Sequence, residues 1–176
     1  MSETRPVLSH FGVFCRDLDA MVTYYSEMFG MTMTDRGEGH TMPFTIAFMT
    51  SVPEQHHQLA LASGRGANDP STVMQISFKV QRLDELREIQ RRAADRGAAR
   101  LRGINHGNAI SIYFCDIEDN TVEVYLDTPW YVAQPHADPL DLSRPDADIW
   151  ADTETRCRQD PTFMTVEDWQ RKFVEK

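Results

Sequence analysis

Residues 108–125 read NAISIYFCDIEDNTVEVY, and the reading of this stretch decides the fold. Ile110, Ile112 and Phe114 alternate with Ser111, Tyr113 and Cys115, which is the period of a strand with two different faces. Asp119-Asn120 supplies a tight turn. Val122, Val124 and Leu126 then alternate with Glu123 and Tyr125 as a second strand. Glu123 is therefore a carboxylate in the middle of a strand of β-branched and aromatic residues. Such a group is solvated on an open face, paired, or bound to a metal, because an isolated buried charge is too costly.

Just upstream, residues 103–109 (GINHGNA) read as a loop. Its His106 and Asn108 either edge a pocket or cap the loop with their own polar groups. A short extended piece at 99–102 precedes it. Before that, Leu83, Leu86, Ile89, Ala93 and Ala94 predict an amphipathic helix over 83–96, ended by Gly97. Residues 73–80 (VMQISFKV) read as a strand containing Gln75. Residues 63–71 (SGRGANDPS) are the richest in turn formers and read as a linker.

The same plan stands before the linker. Residues 6–15 (PVLSHFGVFC) predict a strand containing His10. Asp17 is a plausible N-cap for a helix with Leu18, Met21, Tyr24, Tyr25 and Met28 on one face, stopped by Gly30. Extended segments follow at 31–34, 45–49 and 56–62, with a loop at 37–43 that leaves His40 on the surface. His10 precedes Leu18-Asp19 by the same interval as Gln75 precedes Leu83-Asp84, which gives an internal repeat with an offset of 65. That offset carries Gln58 onto Glu123. The expected fold is α+β: two tandem βαβββ modules, 6–62 and 72–128, forming a curved mixed sheet around a metal or ligand cleft. They make up a domain at 1–128, followed by an extension at 129–176. Neither half closes a core alone, so the modules are expected to pack together or to swap between chains, and a homodimer is expected.

The chain has 18 basic and 27 acidic side chains and a net charge of −9. This disfavours nucleic acid and anionic membrane as partners and leaves a small-molecule substrate. No apolar run approaches the ~20 residues needed to span a bilayer, and the N-terminus lacks a signal-peptide core, so a cytoplasmic location is expected. Cys15, Cys115 and Cys157 are widely spaced and read as reduced thiols.

The repeat places chemistry symmetrically. The first strand of each half carries His10 or Gln75. The last carries His56-His57-Gln58 or Glu123. Imidazole nitrogen, amide oxygen and carboxylate together suit a divalent metal such as Fe, Mn, Ni or Zn. No residue is assigned to an organic cofactor.

On the repeat, the stretch YYSEMFGM at 24–31 and the closing DNTVEVY at 119–125, residues 6 to about 128 resemble the vicinal oxygen chelate superfamily, which includes glyoxalase, bleomycin-resistance and extradiol dioxygenase proteins. The nearest likeness within it is the metal-binding domain of extradiol ring-cleavage dioxygenases. That resemblance implies His10, Gln75 and Glu123 as metal ligands and Fe(II) as the favoured metal. It implies His57 and Tyr113 as catalytic groups: His57 shuttles a proton, and Tyr113 hydrogen-bonds a substrate oxygen. The dioxygenase likeness turns His57 into the site, whereas the strict repeat turns Gln58 inward. Gln75 departs from the dioxygenase pattern, which has histidine there, and is similar to the glyoxalase and epimerase branch. The expected activity is ring cleavage of a catechol-like aromatic. The alternatives are a metal-dependent isomerase or lyase, and a resistance-type protein that binds its ligand without chemistry.

Beyond 128, Trp130, Tyr131, Trp150, His136 and the four prolines of residues 129–145 suggest an extended arm with aromatic anchors, covering a pocket mouth or a partner chain. Short helices are expected at 153–158 and 166–174, the latter with Trp169 and Phe173 spaced for docking.

Overall fold

The structure, a computed structural model, describes Thr4 and residues 6–71 and 73–174. Contacts divide the chain into two units. One holds the residues up to 73 and the segment 117–119, the other 74–116 and 120 onward.

The first unit runs β1 (Phe11–Cys15), α1 (Leu18–Phe29), β2 (Thr32–Glu38), β3 (Thr45–Thr50) and β4 (Leu59–Ser63). Its sheet has the order β1-β4-β3-β2, with β1 parallel to β4 and the other pairs antiparallel. The helix forms where the apolar spacing indicates. Asp17 accepts a hydrogen bond from the Ala20 N–H at 3.0 Å, and Gly30 ends the helix at φ 69°. Leu18, Met21, Tyr24, Tyr25 and Met28 are all buried, each contributing on the order of 1.5–3 kcal/mol if fully removed from water. Within this unit the Glu118 carboxylate accepts the backbone N–H groups of Arg16 and Asp17 at 2.7 Å and lies 3.6 Å from the Arg65 guanidinium.

The second unit repeats the plan with β5 (Ile76–Lys79), α2 (Leu83–Asp95), β6 (Arg102–Asn105), β7 (Ala109–Cys115) and β8 (Thr121–Asp127). It continues with β9 (Trp130–Tyr131), β10 (Asp138–Pro139), α3 (Asp146–Gln159), β11 (Met164–Thr165) and α4 (Val166–Val174). The main sheet has the order β10-β6-β7-β8-β5, with β5 parallel to β8. The fold is thus α+β with mixed, open sheets, and each unit shows the βαβββ order read from the sequence. The β7–β8 turn has Asp119 at φ 66°, a left-handed conformation that Asp tolerates.

Several boundaries differ from the sequence reading. β1 begins at Phe11 and β5 at Ile76, so His10 and Gln75 each stand one residue before their strand. β4 begins at Leu59, which leaves His56 and His57 in the preceding loop. β6 takes in Gly103–Asn105, part of the expected loop. The arm is less extended than its prolines suggested: α3 covers 14 residues, from Asp146 to Gln159. Acidic residues in its first turn and Arg156 and Arg158 in its last complement the helix dipole. Trp130 packs against Trp150 and Tyr131 stacks on Trp169, so these anchors serve the arm itself. The Phe173 side chain lies outside the described residues.

The strict repeat also needs correction. β1 pairs Gly12 with Ala60, and β5 pairs Ser77 with Glu123. Gly12 and Ser77 keep the 65-residue offset, so the counterpart of Glu123 is Ala60 and not Gln58. The β3–β4 connection is longer than the β7–β8 turn, and the extra residues move the last strand by two.

Candidate functional site

In the second unit Glu123 sits at the centre of β8, between Tyr113 on β7 and Ser77 on β5. Strand alternation puts Ser111 on the face of Tyr113, and Gln75 lies two residues before Ser77. The carboxylate is 8% exposed. One oxygen accepts hydrogen bonds from Gln75 Nε2 and Ser77 Oγ, both at 2.8 Å. The other accepts from Ser111 Oγ at 3.0 Å and from the Tyr113 hydroxyl at 2.5 Å. Among the described residues no lysine or arginine forms a salt bridge with it. His106 Nε2 is the nearest basic nitrogen recorded, at 3.8 Å. These donors are neutral and leave the charge of the carboxylate formally uncompensated.

Tyr113 is held between a carboxylate and an imidazole. Its hydroxyl donates to Glu123 and lies 2.9 Å from His106 Nε2. Burial, then the hydrogen bond to Glu123 and the charge of that carboxylate, push its pKa well above the ordinary phenol value. It is therefore a proton donor at neutral pH rather than a phenolate. His106 Nδ1 lies 2.7 Å from the His136 carbonyl, which can only accept, so Nδ1 carries a hydrogen. His106, Asn108, Tyr113, Glu123, Tyr125 and Gln134 line a pocket of about 240 Å³.

Gln75 spends its amide N–H groups on Glu123 and on Ser77 Oγ, at 2.8 and 2.9 Å. Its amide oxygen, the atom able to ligate a cation, makes no hydrogen bond among the described residues. Carboxylate, amide and hydroxyl oxygens form a donor set suited to a hard divalent cation, and the uncompensated charge of Glu123 fits the same group. Among the described residues no three His, Cys, Asp or Glu side chains cluster as metal ligands, so such a set draws on the Gln75 amide.

In the first unit His10 is exposed and its ring lies 4.1 Å from that of His57, centroid to centroid. His57 Nδ1 is 2.9 Å from His56 Nδ1, and His56 Nε2 is 2.7 Å from Asp35 Oδ2. Partial burial, then the proximity of His10 and His56, lowers the pKa of His57 and favours its neutral form. Gln58 turns elsewhere: its amide oxygen accepts from the Ser51 N–H and hydroxyl at 2.9 and 2.8 Å. Of the two inward candidates from the sequence, His57 is the one against His10.

The structure thus groups Gln75, Tyr113 and Glu123 in one unit and His10 with His57 in the other. Ser77 and Ser111 were not singled out by the sequence reading, although each lies two residues from a named site residue. His106 was left open there, and it lies on Tyr113.

The profile of the Glyoxalase/Bleomycin resistance protein/Dioxygenase superfamily matches residues 7–124. The chain belongs to that superfamily. Its members include dioxygenases and other enzymes, and binding of divalent metals occurs among them. A curated relative, biphenyl-2,3-diol 1,2-dioxygenase 3 of Rhodococcus globerulus, is 27% identical over 128 residues, covering 69% of this chain. The chain spans 64% of that protein's length. Among solved structures, a glyoxylase/bleomycin resistance protein/dioxygenase domain from Frankia sp. EAN1pec superposes with a TM-score of 0.59 at 22% identity, covering 71% of this chain and all of that one. The fosfomycin resistance protein FosX of Listeria monocytogenes, solved with Mn(II) and sulfate, gives 0.54 at 18% identity, covering 71% and 95%. These structures support the fold.

Proposed function

We propose that this protein is a metal-dependent dioxygenase of the extradiol type, acting on a small catechol-like aromatic with two adjacent ring oxygens. The observation that carries the reading is Glu123, a buried carboxylate with only neutral donors hydrogen-bonded to it and an unused Gln75 amide oxygen beside it. The likeness to a biphenyl-2,3-diol 1,2-dioxygenase over 69% of this chain supports it. Glu123 and Gln75 of the second unit would hold the cation. Fe(II) is favoured, with Mn, Ni or Zn as alternatives. When bound, the metal supplies Lewis acidity toward the paired substrate oxygens and, as iron, a route for electrons between the aromatic and O2.

The chain's own groups do the rest. His57, held neutral, takes a proton from a substrate hydroxyl and returns it later. Tyr113 keeps its proton and donates a hydrogen bond to a substrate oxygen. His106 Nε2, 2.9 Å from the Tyr113 hydroxyl, holds the phenol in place. Gln75 and the two serines keep the Glu123 carboxylate oriented.

A second reading rests on Gln75. A neutral amide in place of imidazole is a weaker donor and suits a metal-dependent isomerase, epimerase or lyase, in which proton movement on carbon replaces oxygen chemistry.

Metal content after oxygen-free purification, for wild type and Glu123→Ala side by side, tests the first reading together with oxygen uptake on 2,3-dihydroxybiphenyl. About one iron per chain, lost in the variant, with uptake by wild type, is the expected result. Zinc, nickel or manganese without oxygen uptake favours the second reading. No metal in either protein leaves a ligand-binding protein.

A further inference from the structure

We propose that the C-terminal arm is a working part of the site, with Gln134 as the positioning residue that aims His106 at Tyr113. The proposal rests on the reading that Tyr113 and Glu123 form the reacting centre, and it adds a segment that lies beyond the superfamily match at 7–124.

The loop that carries His106 is built onto the arm. Gly107 has φ 74°, and a Cβ there would stand 2.4 Å from Val132 Cγ2 and 3.3 Å from Cys157 Sγ. Its carbonyl accepts from Thr128 Oγ1 at 2.6 Å. Asn105 reaches α3 through Thr153 Oγ1 at 2.7 Å and holds the Gly107 N–H at 2.8 Å. Gln134 closes the arrangement. Its Nε2 donates to the His106 carbonyl at 2.8 Å, and lies 3.2 Å from Asn108 Oδ1 and 3.3 Å from the Val132 carbonyl. Its Oε1 accepts the His136 N–H at 3.1 Å. One side chain therefore ties the backbone of His106 to the backbone of His136.

That second tie matters because the His136 carbonyl faces His106 Nδ1 at 2.7 Å. A carbonyl accepts only, so it selects the ring form with hydrogen on Nδ1 and leaves Nε2 toward Tyr113. Without the arm nothing in the recorded contacts of His106 fixes which nitrogen faces the phenol. Gln134 also lines the pocket, so the segment that sets the histidine borders the space a substrate would fill.

Gln134→Glu tests this. The change is isosteric but turns a carboxylate oxygen toward three oxygen acceptors, so the clamp opens without a change of volume. The readout is the 15N signature of the His106 ring at about pH 8, where an ordinary histidine is neutral, assigned with His106→Gln, alongside far-UV circular dichroism. Wild type is expected to show hydrogen on Nδ1. Q134E is expected to shift toward the Nε2–H form, with kcat on 2,3-dihydroxybiphenyl about tenfold lower and KM changed less. If Q134E does not fold, Gln134→Met, which keeps the length and lacks the donor, replaces it with the same expectation. An Nε2–H form in wild type, or a ring signature unchanged in a folded variant, overturns the proposal. Absence of oxygen uptake by wild type would count against the dioxygenase reading alone, because the ring signature needs no turnover.

Discussion

At the sheet positions where the second unit carries Ser77, Ser111, Tyr113 and Glu123, the first carries Gly12, Ile46, Phe48 and Ala60. The neighbour of Tyr113 across β6 is Arg102, and the neighbour of Phe48 across β2 is Asp35. Backbone register is the same in both, so the scaffold does not require a polar face. A buried carboxylate is tolerable only when its donors arrive as a set, and the second unit has the whole set while the first has none of it. The first unit offers its chemistry off the sheet, with His10 ahead of β1 and His57 in the loop before β4. Duplication supplied two frames, and the chemistry diverged by position within them: on strands in one, at strand entrances in the other.

The comparison breaks most sharply at Glu123. Glu123→Ala gives the second unit the residue that the first already has at Ala60. On the dioxygenase reading it should abolish oxygen uptake, by about a thousandfold or more. It should also cost about 1–3 kcal/mol in urea unfolding, because Tyr113, Ser111, Ser77 and Gln75 lose their acceptor. Adding Tyr113→Phe should recover part of that stability by removing one orphaned donor. Further loss in the double variant would mean that Tyr113 is held by something other than Glu123. Tyr113→Phe alone should lower kcat by about a hundredfold at a cost of ~1 kcal/mol, as measured by steady-state kinetics and urea unfolding.

The strand pattern around 108–125 carried most of the fold, because period-two alternation and a turn at Asp119-Asn120 are local signals. The helix at 18–29 was equally legible through its cap and its apolar face. The site was legible in part. Glu123 stood out because a charge in a β-branched strand demands a partner, but the identity of its donors depends on cross-strand register. Cross-strand register is not a local signal, so nothing along the chain distinguishes Ser77 and Ser111 from ordinary strand serines. His106 was harder still. Its role depends on a carbonyl 30 positions away in an arm whose prolines concealed a 14-residue helix.

The converse substitution sharpens the comparison from the other side. Ala60→Glu places a carboxylate in the first unit opposite Phe48 and Gly12, where the matching positions offer no hydroxyl. Ala60 is only half-buried, so the charge keeps some water, and the expected loss is about 1–3 kcal/mol rather than the penalty of a sealed core. Phe48→Tyr beside it should return part of that loss by supplying the donor that Tyr113 supplies in the other unit. Unfolding midpoints of the three variants against wild type measure both effects.

The smallest effect concerns the groups held off the sheet. The folded-state pKa of His57 lies below the ordinary value of about 6.5, first through partial burial and then through His10 and His56. Between that lowered value and 6.5 the unfolded chain binds more protons than the folded one, so stability rises with pH across this window. The contribution is complete above about pH 6.5 and is lost as pH falls through the folded value. The ring is partly exposed, so solvent screening limits the difference to about a few tenths of a kcal/mol. His57→Asn should flatten the wild-type loss of stability between about pH 7 and pH 5 by that amount, read as the change in urea midpoint at the two pH values. A slope identical in both proteins would assign the acid sensitivity to other groups. The same neutral form predicts that the acid limb of kcat/KM lies below the usual histidine range. A limb that disappears in His57→Asn, while oxygen uptake persists at a lower rate, would make this loop histidine the group that takes the proton.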